Sequence, residues 1–115
     1  MMLSAPLPDA MALYLRWERR EPEALAEVAK MFPPGSECFT CGSEVGDDPG
    51  LFSGTDPANP RVTAILAPLC PACMSLPKLY RMAKVNRMYK AMFGAKAGRG
   101  RLLRPNELRQ ITRRA

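Results

Sequence analysis

Two short stretches, CFTCG at residues 38–42 and CPAC at residues 70–73, contain all four cysteines of the 115-residue chain. In each stretch two residues separate the cysteines, and 28 residues lie between the two pairs. A tight turn of this kind directs both sulfurs towards one point, as a tetrahedral metal ion requires. The spacing therefore predicts one metal site, with the ligands Cys38, Cys41, Cys70 and Cys73.

We expect this site to hold one structural Zn²⁺ ion. Four thiolates fill a tetrahedral shell and leave no open position for a substrate. Gly42 tolerates positive φ, which lets the first turn curl so that backbone N–H groups point at the sulfurs. In small zinc modules, zinc binding contributes on the order of 10–16 kcal/mol to the free energy of folding. We expect it to hold residues 36–75 together, because their apolar residues are too sparse to form a core alone.

The region around the cysteines resembles the treble-clef and zinc-ribbon group of small zinc modules. The matching parts are the knuckle CFTCG, the strand RVTAILA at residues 61–67, and CPAC leading into a helix. The resemblance covers about half of the chain and implies a class of metal site, whose members often bind nucleic acid or protein. Treble-clef nucleases of the His-Asn-His kind need histidine, and this chain has none, so that activity is not implied.

Other interpretations of the cysteines stay open. Rubredoxins bind iron through two Cys-x-x-Cys-Gly knuckles, but here Met74 follows Cys73 and few aromatic residues lie between the pairs. One pair could be redox-active, since the motif lowers a thiol pKa, although two equivalent pairs favour shared ligation. The remaining interpretation is four buried cysteines without a ligand, which the repeated spacing disfavours.

Charge divides the chain into two unlike parts. Residues 1–75 hold five Lys/Arg and ten Asp/Glu, a net charge of −5, whereas residues 76–115 hold twelve Lys/Arg and one Glu, a net charge of +11. The two parts sum to the total of +6. This imbalance favours an anionic partner, with nucleic acid first and an acidic protein or membrane surface after it.

The C-terminal cations are the predicted nucleic-acid contacts. Lys and Arg contacts to phosphates supply most nonspecific affinity. Cations at every third position of a helix wind around its solvent side, and a solvated surface helix is the competing interpretation. The candidates are Lys78, Arg81, Lys84, Arg87, Lys90, Lys96, Arg99, Arg101, Arg104, Arg109, Arg113 and Arg114.

The N-terminal segment, residues 1–35, is predicted to be helical. Asp9 is the expected N-cap of the first helix, and Ala10, Leu13, Tyr14 and Trp17 recur at helical spacing. Pro22 ends or kinks that helix and suits the first turn of a second one.

The predicted zinc core spans residues 36–93. It contains a short strand at Leu51-Phe52 and a strand at residues 61–67 that ends at Pro68. A basic helix is expected from near Ser75 to Phe93, with Gly94 as its stop. Tyr80 and Tyr89 can stack on bases where they are exposed, although Tyr89 lies on the predicted apolar face.

Residues 94–115 are predicted to be a basic flexible arm, with a possible short helix from Pro105. The expected fold class is a small α+β zinc-stabilised domain, with N-terminal helices, a zinc knuckle with a short β-hairpin, and a long basic C-terminal helix and tail.

The sequence predicts a zinc-binding, nucleic-acid-binding protein of the zinc-finger kind, without enzymatic activity. It has no histidine, no coherent carboxylate pair and no Gly-rich phosphate loop. No apolar run approaches the roughly twenty residues of a membrane span, and the start lacks a basic, apolar secretion signal, so we expect a cytoplasmic protein. The alternative is a zinc-stabilised protein-interaction adaptor, regulator or inhibitor that uses a Met-rich helix face.

Overall fold

The computed structural model describes residues 2–94 as four helices and a three-stranded antiparallel sheet, which confirms the α+β class. In chain order the elements are β1 Leu3–Pro6, α1 Leu7–Glu18, α2 Pro22–Met31, β2 Gly50–Thr55, β3 Thr63–Leu69, α3 Pro71–Met74 and α4 Lys78–Phe93. Among these helices, none combines the length and hydropathy that crossing a membrane requires. The arm and short helix predicted for residues 94–115 lie outside the described residues, apart from Gly94.

The strand order is β1-β3-β2, so the predicted hairpin is extended by a third strand from the N-terminus. Leu3 pairs with Leu66 on one side of β3, and Gly50 pairs with Leu69 on the other. Strand β1 was not predicted, because four residues ending in proline give no alternating apolar pattern. It leads straight into α1, which begins at Leu7, so the N-cap is Pro6 and the prediction of Asp9 as the N-cap is wrong.

The predicted end of β3 at Pro68 is wrong, since the strand continues to Leu69. The carbonyl of Pro68 accepts a hydrogen bond from Phe39 N–H at 2.8 Å, so its polar edge faces away from β2. On the other side of β3, the pairing with β1 reaches only as far as Leu66 and does not include Pro68. The missing N–H of proline therefore removes no bond from the ladder with β2.

The sheet separates two clusters of buried side chains. Successive residues of a strand point to opposite faces, which places Leu66 with helices α1 and α2 and Ala67 with the cysteines. The first cluster contains Leu7, Ala10, Met11, Leu13, Leu15, Trp17, Ala24, Val28, Phe32, Leu51, Ala64 and Leu66. The second cluster contains Cys38, Phe39, Val45, Phe52, Ala67, Leu69, Cys70, Cys73, Val85 and Tyr89.

The middle of the chain buries more apolar surface than the sequence suggested. All six residues of β2 are buried. The ring centroids of Phe39 and Phe52 lie 4.9 Å apart, and those of Phe52 and Tyr89 lie 6.3 Å apart. The expectation that this region lacks a core is therefore wrong, and a metal ion would add to an apolar cluster.

Prolines precede or open the helices, whereas α1 ends at Glu18, before Pro22, and Arg20 then takes a positive φ of 61°. Helix α2 begins at Pro22, as predicted. Helix α4 begins at Lys78, three residues later than expected, because the residue before a proline avoids helical conformation and Pro77 is itself extended, with ψ 144°. A separate turn of helix, α3, directly follows Cys70 and contains Cys73. Helix α4 ends at Phe93, and Gly94 follows with φ 58°.

Candidate metal centre

The four cysteine sulfurs lie within 4.8 Å of one another, as the spacing of the two pairs predicted. The Sγ atoms of Cys38 and Cys73 are 3.8 Å apart, and those of Cys41 and Cys70 are 3.4 Å apart. Zinc–sulfur bonds of about 2.3 Å place tetrahedral ligands about 3.8 Å from one another. The four sulfurs therefore fit around a single ion, and the residues form a possible four-cysteine metal site.

The first pair lies in a turn closed by its own backbone. Cys38 N–H donates to the carbonyl of Ser43 at 2.7 Å, and Gly42 N–H donates to the carbonyl of Cys38 at 3.0 Å. Gly42 adopts φ 78°, a conformation that glycine takes at little cost. This confirms the conformational reason given for a glycine after the first pair.

The second pair begins where β3 ends. Cys70 precedes the first residue of α3, and its carbonyl accepts a hydrogen bond from Met74 N–H at 3.0 Å. The bond from Phe39 to Pro68 ties the first turn to the same end of β3. One strand therefore positions both halves of the site.

Two side chains outside the cysteines contact the sulfurs. The hydroxyl of Thr40 donates to Cys73 Sγ at 3.0 Å and lies 3.3 Å from Cys38 Sγ. The ammonium of Lys84, from α4, lies 4.0 Å from Cys73 Sγ. A divalent ion with four thiolates has a net charge of −2, so a nearby cation and a hydroxyl donor both stabilise it. Neither contact has a signal in the sequence, because both depend on tertiary packing.

The surroundings of the cysteines shift their thiol pKa values in opposite directions. Burial raises the pKa of Cys38, but hydrogen bonds from Thr40 and from backbone N–H groups outweigh it and lower the pKa to about 6. Burial, together with neighbouring thiols, raises the pKa of Cys73 to about 12. Because a metal binds the thiolates, it must displace protons from such a site.

Cys41 is the exposed member of the set, whereas Cys38, Cys70 and Cys73 are buried. The second pair sits in the same cluster as the first, so the sulfurs form one site and not two separate redox pairs. Tetrahedral sulfur ligation suits zinc or iron. Phe39, Phe52 and Tyr89 pack in the same cluster as the cysteines, and of these only Phe52 lies between the two pairs in the sequence.

The candidate nucleic-acid contacts of α4 fall into two groups. Lys78, Lys84, Arg87 and Lys90 are exposed. Arg81 is half-buried, and its Nη1 donates to the carbonyl of Met74 at 3.0 Å. The expectation that Arg81 lies on the solvent side of the helix is therefore wrong. A spacing of three residues drifts around the helix, which carries Arg81 to the edge of the packed face. Lys96, Arg99, Arg101, Arg104, Arg109, Arg113 and Arg114 lie outside the described residues.

The two tyrosines of α4 have opposite environments. Tyr89 is 1% exposed, and its hydroxyl donates to the carbonyl of Thr55 at 2.6 Å, so it packs in the core as predicted. Tyr80 is 69% exposed, and its neighbour Leu79 is 82% exposed.

Comparisons of the chain with models of known protein families, with curated proteins and with solved structures find no match.

Proposed function

We propose that this protein is a zinc-binding, nucleic-acid-binding protein of the treble-clef kind. One Zn²⁺ ion, held by the four cysteines, stabilises the second cluster and fixes α4 on the sheet. The basic face of α4 and the following basic tail contact phosphates. The protein acts by binding in the cytoplasm, with no catalytic step at a metal whose shell is already full.

The observation that carries the proposal is the position of Lys84, 4.0 Å from Cys73 Sγ. This contact puts the basic helix directly beside the metal site. Further along α4, Arg87 and Lys90 are exposed, and within residues 2–94 their side chains form no ion pair. Unpaired cations beside a rigid centre are available to phosphates without first losing another partner.

The ion pairs of the described residues lie elsewhere. Arg16 pairs with Glu27 at 3.5 Å, Arg19 with Glu21 at 3.5 Å, and Arg20 with Asp48 at 3.0 Å. Each of these pairs neutralises a cation of the N-terminal part. The distribution supports α4 as the cationic face.

A protein-interaction adaptor is the second candidate function. The observation that favours it is the exposure of Leu79 and Tyr80 at the start of α4, since exposed apolar side chains mark interaction sites. A partner of this kind would bind with little salt dependence, because apolar burial carries no counterion release.

Binding to a 20-nucleotide single strand and to a generic duplex, measured over a range of salt concentrations, tests the proposal. We expect log affinity to fall linearly with log salt, and the double variant Arg87→Ala/Lys90→Ala to weaken binding and reduce the slope by roughly 1–2. Lys30→Ala/Arg61→Ala removes the same charge from exposed positions off α4 and serves as the control. Equal losses in the two variants, or no binding at low salt, would contradict the proposed face.

The tail is tested separately. Replacing Arg99, Arg101 and Arg104 by alanine should weaken binding to all sequences alike, because phosphate contacts do not read bases. Unchanged affinity would exclude these residues as contacts and confine binding to α4.

A further inference from the structure

We propose that Tyr80 is a base-stacking platform that makes the basic face of α4 selective for single-stranded nucleic acid. This inference rests on the proposed function and specifies its ligand. It is drawn from an exposed aromatic ring on a cationic helix face, one turn before Lys84, which contacts the cysteine cluster.

Tyr80 shares one stripe of α4 with two cations. Residues at i, i+4, i+7 and i+11 lie close together on a helix surface, and here they are Tyr80, Lys84, Arg87 and Ala91. All four are exposed. Arg87 lies about 10 Å from Tyr80 along the helix axis, so one strand can place a base on the ring and a phosphate on the guanidinium. We call these four residues the α4 stripe.

The ring of Tyr80 contacts no other aromatic ring within the described residues. The ring contacts there join Tyr14 to Trp17 and link Phe39, Phe52, Tyr89 and Phe93 in turn, and Tyr80 takes part in none of them. Tyr89, nine residues later, lies on the packed side and is buried. The helix therefore uses one tyrosine for the core and presents the other to solvent.

A single strand is the ligand that fits an exposed ring between cations. Stacking of a base on an aromatic side chain contributes about 1–3 kcal/mol and needs an uncovered base face. In a duplex each base face is covered by its neighbours, so the ring would gain little there, and only the phosphate contacts would remain. The α4 stripe should therefore bind unpaired bases more tightly than paired ones.

The test compares affinities for 20-nucleotide oligo(dT), 20-nucleotide oligo(U) and a 20-base-pair duplex by fluorescence anisotropy. We expect Tyr80→Leu to weaken binding of the two single strands by roughly 5- to 100-fold, with the salt slope unchanged and the duplex affected less than about twofold. Tyr80→Phe keeps the ring and should retain affinity. Val62→Ala shortens another exposed side chain, 62% exposed and outside α4, and should change nothing.

The two single-stranded arms show whether DNA or RNA is bound more tightly. Salt-dependent binding that Tyr80→Leu leaves intact, or that it weakens equally for strand and duplex, would overturn the stacking inference and leave the proposed function standing. No binding of any probe at low salt would overturn both. Because Tyr80 is exposed, unfolding temperatures of the variants should match the wild type and confirm that folding is unaffected.

Discussion

Thr40, in the turn of the first cysteine pair, donates its hydroxyl to the sulfur of Cys73, in the second pair, at 3.0 Å. The two residues are 33 positions apart in the chain. The bond joins the two halves of the candidate metal site without using the ion. It also orients Cys73, the thiol whose pKa burial raises most clearly, towards the other three sulfurs.

Thr40→Val should weaken zinc binding about 10- to 100-fold, the usual cost of removing a hydrogen-bond donor to a ligand. Valine keeps the shape and removes the hydroxyl. Competition with a chromogenic chelator measures the affinity, and Thr40→Ser, which restores the donor, should recover most of it. If valine and threonine bind zinc equally, the hydroxyl has no part in holding the site.

Gly42→Ala should destabilise the zinc-loaded protein by about 1 kcal/mol, because a side chain disfavours the left-handed conformation at φ 78°. Urea unfolding measures the change. Gly35→Ala is the matched control, since Gly35 has no such φ and no atom lies within 4 Å of an added Cβ. Equal effects of the two substitutions would contradict a conformational role for Gly42.

Tyr89→Phe should lower stability by about 1 kcal/mol at neutral pH, through loss of the hydrogen bond to the Thr55 carbonyl. Burial raises the pKa of Tyr89 above its usual 10.0, so folding favours the neutral phenol. That contribution is complete below the unfolded-state pKa of about 10 and is lost as pH rises through the folded-state value. The wild-type advantage, measured by urea unfolding, should shrink above about pH 10. An advantage that grows with pH would show that the phenolate is favoured.

Removal of the metal should affect the two clusters unequally. The cysteines belong to the second cluster, whereas the first contains none. Hydrogen exchange after chelation should accelerate most in residues 37–46 and 70–76, while amides of α1 stay protected longer. Faster exchange in α1 than around the cysteines would contradict this division of the core.

Local patterns predicted the parts of the structure that depend on local chemistry. Paired cysteines predict a metal site because two intervening residues let a tight turn direct both sulfurs towards one ion. Pro22 marks a helix start because its ring fixes φ at a helical value, and Gly94 marks a helix end because glycine accepts positive φ. The same reasoning placed Tyr89 in the core from its position on an apolar face.

Tertiary contacts account for what the sequence did not predict. Strand β1 forms its ladder with β3, and β3 continues past Pro68 because the missing N–H of that proline faces away from β2, on the side where Phe39 N–H donates to its carbonyl. The sequence pattern predicts Lys84 as a solvent-exposed cation, and its contact with Cys73 follows only from the packing of α4. Neither propensity nor spacing carries this information.

If the four cysteines together hold one zinc ion, elemental analysis of freshly purified protein will detect it, with Cys38→Ser/Cys73→Ser as the control. We expect about one zinc per chain in the wild type and little or none in the variant. A wild type without bound metal, or a red sample containing iron in place of zinc, would contradict it.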